Sequence, residues 1–308
     1  VKKYLVAFAL AIGAMLSASA QQVTVSTGDG AGSTYVAMLG NIAKWCGNAV
    51  SLVPMPSSGS IENLDRLVGN KVNAAFVQSD MLYMRARTED LGDIKTLLAL
   101  HPEQLHFVVP PTSGIKTGGV VGIGGKAVVF SDLADLHGYS IGASGGSVET
   151  LKIVRLQSEV NFSVLEYPDA KAVKEGLARG EVQAALFVGG APLPSVESLP
   201  AGYRMLSVSE ALQSKMKGVY KPARGNYRNL GATGVPTVST DALLVTRTYT
   251  TPKMVHGLGT LRACVIDNLA EIKETSGTHP AWRNVKADNK GPWSWYELPA
   301  PQPGTVKK

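Results

Sequence analysis

Apolar positions along the chain switch between two periods. Val36, Met38, Leu39, Ile42, Ala43, Trp45 and Cys46 recur at helical spacing, and Gly47 supplies a stop. Residues 49–53 form a short apolar run closed by Pro54 and Pro56, which predicts a buried strand. Ile61, Leu64, Leu67 and Val68 mark a second helix that ends at Gly69, and 72–77 is a further strand that runs out at Gln78, Ser79 and Asp80. The alternation resumes with a strand over 139–141, a helix over 169–178 and a strand over 182–188. Strands and helices in alternation predict a parallel sheet with helices on its faces, in which ligands sit at the carboxyl ends of the strands.

Two apolar runs, 97–100 and 105–109, flank His101-Pro-Glu103, and 235–246 is a second long extended segment. Both read as crossings between two lobes. Residues 113–129 are rich in glycine and valine and predict a hairpin turning at 122–125, while Ser131 and Asp132 cap a short helix. Residues 222–234 read as irregular, and Thr251-Pro252 opens a long helix with Met254, Leu258, Leu261, Val265 and Leu269 on one face. Trp282, Trp293, Trp295 and Tyr296 stand among prolines in a tail expected to strap over the first lobe. The stretch 67–77 is echoed by 177–187, an offset of 177 − 67 = 110, and Gly28 and Gly142 give 142 − 28 = 114. Two lobes of like construction explain both offsets.

Composition narrows the class. Lys2 and Lys3 precede a short apolar run and Ala18-Ser-Ala20, the pattern of a cleaved export signal, so a mature chain is expected to begin near Gln21 and to work outside the cytoplasm, in the periplasm. Without those two lysines the formal charge falls from 30 − 24 = +6 to 28 − 24 = +4. The basic residues are scattered and not interleaved with aromatics, which argues against a nucleic-acid partner. The five histidines lack metal-ligand spacing and no phosphate loop occurs, so neither a metal nor a cofactor is expected. Cys46 and Cys264 are the two cysteines; they either pair in an oxidising compartment or stay as separate buried thiols.

Three loops share one design. Residues 25–35, 55–61 and 140–148 each place glycines and hydroxyl side chains before a helix, and unpaired amides at a helix start hold a negative group. The candidate ligand-binding residues are Thr27, Ser33, Thr34, Ser57, Ser58, Ser60, Ser144, Gly145 and Ser147 for a carboxylate, with Tyr35 as a wall. Gln78, Ser79 and Asp80 read the polar end, Asp80 against an ammonium, and Gly189 and Pro192 line the cleft from the second lobe.

The motifs Thr27-Gly28 to Tyr35, Ser57 to Asn63, Ala75-Phe-Val-Gln-Ser-Asp80, Leu100-His-Pro-Glu103, Ser113-Gly-Ile-Lys116, Ile141-Gly to Ser147, Pro222-Ala to Tyr227 and Val235-Pro-Thr-Val to Val245 stand in one order. In that order the chain resembles the TAXI-type solute receptors of tripartite (TRAP) transporters, over most of its length. The resemblance implies a type II periplasmic binding fold, two α/β lobes joined by crossing strands with a cleft between them. Lobe one is then 21–112 with 237–308, lobe two 113–236, and 1–20 the signal peptide. It further implies a monomeric receptor that closes over a small organic anion, a glutamate-like amino acid or a carboxylate, and delivers it to an ion-driven TRAP-type membrane permease without making or breaking a bond.

An enzymatic alternative rests on Gly142-Ala-Ser144-Gly-Gly146, which satisfies the nucleophile-elbow pattern between a strand and a helix. An exported serine hydrolase then recruits Asp241 as acid and His256 or His279 as base.

Overall fold

The computed structural model describes residues 21–28, 30, 33–117 and 126–297 of the 308-residue chain. The export signal, Gly32 of the first loop and the turn at 122–125 lie outside the described residues. Among those described, no helix is long and apolar enough to cross a membrane.

The first half builds β1 (Gln21–Ser26), α1 (Thr34–Cys46), β2 (Val50–Met55), α2 (Ser60–Val68), β3 (Ala74–Gln78) and α3 (Ser79–Arg85). A 16-residue strand, β4 (Ile94–Val109), leads out of it, and a short hairpin of β5 (Lys116–Thr117) and β6 (Lys126–Ala127) follows. The second half builds β7 (Ser140–Ser144), α4 (Gly146–Ser158), β8 (Ser163–Tyr167), α5 (Ala170–Arg179), β9 (Ala184–Gly189), α6 (Pro194–Glu197), β10 (Arg204–Met205), α7 (Glu210–Met216) and β11 (Lys221–Tyr227). The chain returns through another 16-residue strand, β12 (Ala232–Arg247), and finishes on α8 (Pro252–Asp267) and α9 (Leu269–Glu274).

The sheet runs β2-β1-β3-β12-β4-β9-β7-β8. The two long antiparallel strands therefore sit in the middle, with a parallel trio on each flank, β2-β1-β3 and β9-β7-β8. We call the flanks the first and second lobe. One core packs α1 and α8 onto the first trio around Met38, Ile42, Leu258 and the fully buried Trp282, and another packs Val173, Leu177 and Phe187 in the second lobe. A third belongs to both lobes, joining Leu64, Met81 and Leu82 to Leu151, Val154 and Leu212. The lobes are thus held by shared apolar burial as well as by the crossings, and burial of this kind is the main stabilising term in a fold.

The internal echo is structural. Lys71 N donates to Arg66 O at 2.8 Å and Glu181 N to Gly176 O at 3.0 Å, with left-handed Asn70 (φ 59°) and Gly180 (φ 75°) at matching places. Each is the 6→1 closure that ends a helix. Two residues on from each Lys71 and Glu181, Asn73 Oδ1 accepts from Thr24 N at 2.9 Å and Gln183 Oε1 from Ser140 N at 3.0 Å, tying each turn to the neighbouring parallel strand.

Three local expectations are corrected. Pro54 lies within β2, paired with Val25, because β2 is the sheet edge and proline needs only that its missing N–H face outward. Lys221–Tyr227, with Pro222 inside it, forms β11, which among the described residues pairs only with β12, through a bulge between Gly225 and Tyr227. The long C-terminal helix breaks at Asn268 into α8 and α9.

The tail does cross the first lobe. Trp282 Nε1 donates to Asn41 Oδ1 at 3.0 Å, Trp293 Nε1 to Ser79 Oγ at 2.8 Å, and Tyr296 N to Thr96 O at 2.8 Å. Cys46 of α1 is disulfide-bonded to Cys264 of α8, across 218 residues of sequence.

Candidate functional site

The parallel strands of both lobes point their carboxyl ends at one cavity of about 220 Å³. Three helices start there: α1 behind Ser33, α2 behind Gly59 and α4 behind Gly145. None of these starts has a side-chain cap, which is true also of α3 and α6–α9, so what sets the three apart is that they meet at one cavity. Uncapped amides with the helix dipole behind them form a site for negative charge.

Local sequence explains how the first start is kept open. A Cβ on Gly28 would come within 2.1 Å of Ser33 Oγ, so only glycine lets that hydroxyl fold back over the loop. Thr27 N donates to Met55 O at 3.0 Å, Ser57 Oγ donates to Thr27 O at 2.9 Å, and Asn63 Nδ2 donates to Thr27 O and, at 2.7 Å, to Phe76 O. This buried staple fixes the first and second loops against each other.

The cavity is lined by Gly28, Ser33, Thr34, Tyr35, Ser58, Gly59, Ser60 and Gln78 from the first lobe, by Glu103 from the crossing strand β4, and by Gly146, Ser147, Val188, Gly189 and Leu193 from the second lobe. Of the residues expected from sequence, the structure brings Ser33, Thr34, Tyr35, Ser58, Ser60, Gln78, Ser147 and Gly189 around it. The others stand elsewhere. Thr27 and Ser57 are buried in the staple, and Ser79 takes the hydrogen bond from Trp293. Ser144 ends β7 beside Tyr167, Gly145 lies at the cleft mouth, and Pro192 is exposed behind Gly189.

Asp80 does not face the cavity. It is fully buried in the first turn of α3, where its Oδ2 accepts from Thr150 Oγ1 and Tyr220 OH, each at 3.0 Å, and its backbone N donates to Thr240 Oγ1 at 3.1 Å. It joins the lobes behind the cleft. Burial raises its carboxyl from the ordinary 3.8 to about 6, partly offset by hydrogen bonds from Tyr220 and Thr150.

The carboxyl group that does reach the cavity is Glu103, on crossing strand β4. Its Oε2 accepts from Gln78 Nε2 at 2.7 Å and from Tyr35 OH at 3.2 Å. Burial, then the charge of Glu103, holds the Tyr35 phenol well above its usual range, and the Tyr35 ring stacks on Phe76 with centroids 5.1 Å apart. His101, two residues back on the same strand face, sets Nε2 3.4 Å from Glu103 Oε1 without hydrogen-bond geometry. Sequence reasoning passed over Glu103 although a signal was there: a charged residue inside an apolar strand must be paired or functional.

The lobes touch over the cavity. A Cβ on Gly145 (φ 52°) would lie 3.3 Å from Ser58 O, and one on Gly59 would lie 3.9 Å from Gly146 N. The second and third loops are thus in van der Waals reach of each other.

No hydrogen bond links Ser144, Asp241, His256 and His279 among the described residues. Asp241 is held by Lys221 and by Asn289 at 3.0 Å, and His256 is exposed on α8. The catalytic set of the hydrolase alternative is therefore not assembled. Also among the described residues, no group of three or more His, Cys, Asp or Glu is placed to hold a metal ion.

A model of the NMT1-like family matches residues 25–293. Among solved structures, a protein from Bordetella bronchiseptica RB50 is similar at 12% identity and a TM-score of 0.52, over 86% of this chain and 76% of its own. The substrate binding protein of an amino acid ABC transporter is similar at 10% identity and a TM-score of 0.50, over 82% of this chain and 95% of its own. At such identities the likeness is one of fold, and the fold is that of the type II periplasmic binding proteins.

Proposed function

The chain belongs to the NMT1-like family, and from that premise we propose that it is an extracytoplasmic solute receptor. It captures a small carboxylate-bearing solute by hinge closure and hands it to a membrane permease. The motifs shared with TAXI-type receptors favour a TRAP-type, ion-driven permease as the partner. The observation that carries the reading is the convergence of three uncapped helix starts, two from one lobe and one from the other, on a cavity lined from both lobes. At about 220 Å³ it is smaller than the roughly 300–1,000 Å³ of sites for drug-sized ligands, so the solute is small. Within it, each charge-assisted hydrogen bond is stronger than in water.

A thermal-shift screen of amino acids and small carboxylates tests this. A ligand at a hundred times its Kd should stabilise the protein by roughly 2.7 kcal/mol through mass action. If none shifts unfolding, and an ester is turned over by the wild type but not by Ser144→Ala, the hydrolase takes its place.

A further inference from the structure

Resting on the receptor reading, we infer that Glu103 selects a ligand with a cationic nitrogen, so that the solute is a zwitterionic α-amino acid without net negative charge rather than a plain carboxylate or a dianion. Three features of the cleft carry this.

The first is the state of Glu103 itself. It is only 4% exposed, yet it lines the cavity. Both of its hydrogen bonds fall on Oε2, from Gln78 and Tyr35, while Oε1 has His101 Nε2 at 3.4 Å, outside hydrogen-bond geometry, and accepts from no other donor among the described residues. A buried carboxyl oxygen left with acceptor capacity beside a cavity is a partner for a ligand donor, and an ammonium satisfies charge and hydrogen bond together.

The second is the lack of a lysine or arginine in the cavity wall, the basic side chain beside Glu103 being the imidazole of His101. None of the lining residues is Lys or Arg, so one ligand carboxylate meets amides and hydroxyls only, while Glu103 adds negative charge to the wall. A second ligand carboxylate has nothing of opposite sign to meet.

The third is the mouth. The adjoining depression, which shares Ser58, Gly59 and Gly146 with the cavity, is lined by Glu62 and Asp65 from the first lobe and Glu149 and Glu166 from the second. Glu62 pairs with Arg66, Asp65 with Arg85 and Glu149 with Lys152, which reduces the field without reversing it. An approaching dianion is repelled there, and a zwitterion can enter with its ammonium leading.

The experiment is calorimetric titration of the protein with amino acids, each paired with its 2-oxo and 2-hydroxy analogue, and with glutamine against glutamate. The wild type should bind one amino acid roughly tenfold or more above its oxo and hydroxy analogues, the worth of a charged hydrogen bond, and should prefer glutamine to glutamate. In Glu103→Gln the amino-to-oxo ratio should collapse towards one, and Glu103→Asp should keep part of it. A residue that only positions Tyr35 and Gln78 would lower affinity for every ligand and leave the ratio alone, and that result overturns the assignment. Oxo acids bound as well as amino acids, or glutamate bound above glutamine, overturn it on wild type alone even where Glu103→Gln does not fold. In either case the receptor reading survives, whereas a panel in which nothing binds removes both.

Discussion

Gly145 of the second lobe stands against the Ser58 carbonyl of the first, so near that an added Cβ would be 3.3 Å from the oxygen. At this point backbone meets backbone across the cleft, and side-chain volume added there opposes closure directly.

The cleanest place to add volume is the next residue. A Cβ on Gly146 would lie 3.4 Å from Gln78 Oε1, across the cavity, and Gly146 opens α4 without a positive φ. Gly146→Val should therefore weaken binding by roughly ten- to a hundredfold, the cost of overpacking, with the unliganded melting temperature nearly unchanged. Calorimetry beside a thermal melt checks it; unaltered affinity means the jaws do not close here.

Ser147 and Ser144 separate the cavity from its surroundings. Ser147 lines it and Ser144 does not. Ser147→Ala should lose roughly two- to tenfold in affinity, a neutral hydrogen bond's worth, and Ser144→Ala should lose nothing. The reverse order in titrations of the two variants would mean that the third loop presents its other hydroxyl.

Asp80 and His106 oppose each other in pH. Asp80 is raised to about 6 from 3.8, so the folded state favours its proton, and its contribution is lost as pH rises from about 4 to about 6. His106 is buried between Phe187 O at 3.0 Å and Tyr227 OH at 2.8 Å, and burial lowers it to about 4 from 6.5. Its contribution is present above 6.5 and lost as pH falls. Between pH 4 and 6.5 the two largely cancel. Asp80→Asn should gain on the wild type by about 3 kcal/mol between pH 4 and pH 7, because each tenfold difference in proton affinity between the folded and unfolded chain is worth about 1.4 kcal/mol. Urea denaturation at each pH measures the difference, and parallel curves would show that Asp80 stays ionised throughout.

The Cys46–Cys264 bond should show as no free thiol in unfolded, unreduced protein and two after reduction. With the cysteines 218 positions apart, the chain-entropy estimate of its stabilisation is about 5 kcal/mol at most. Replacing both cysteines with alanine should lower denaturant stability by up to that amount, and leave affinity alone because neither lines the cavity. Two titratable thiols in unreduced protein would contradict the pairing.

Much of the architecture was legible because it rests on period and punctuation. The αβ alternation, the two crossings and the repeated turn at 67–77 and 177–187 all follow from apolar spacing and from glycine or asparagine where the backbone turns left-handed. The peripheral strands were legible only in part: β2 over 49–53 but not through Pro54, and β11 not at all. Pro54 read as the end of its strand and 222–234 as irregular because whether a proline's missing N–H matters depends on which neighbour lies beside it, a property of the assembled sheet. The site divides similarly. The three glycine and serine loops announce themselves, since helix starts are local. Which acidic group lines the cavity is decided by how the chain turns after β3: Gln78 ends the strand facing the cavity, and α3 then carries Asp80 round to Thr150 and Tyr220. Glu103 takes the place expected of Asp80 because it sits on the crossing strand that floors the cleft.

The bridge to Cys264 reaches over the whole of the second lobe before it closes. A polypeptide cut short anywhere ahead of that position keeps Cys46 as a solitary sulfhydryl, open to alkylation or to mixed disulfides. The oxidised pair is thus a chemical record that the chain was made as far as Cys264, and a copy that stopped short of it can be told by its sulfur alone.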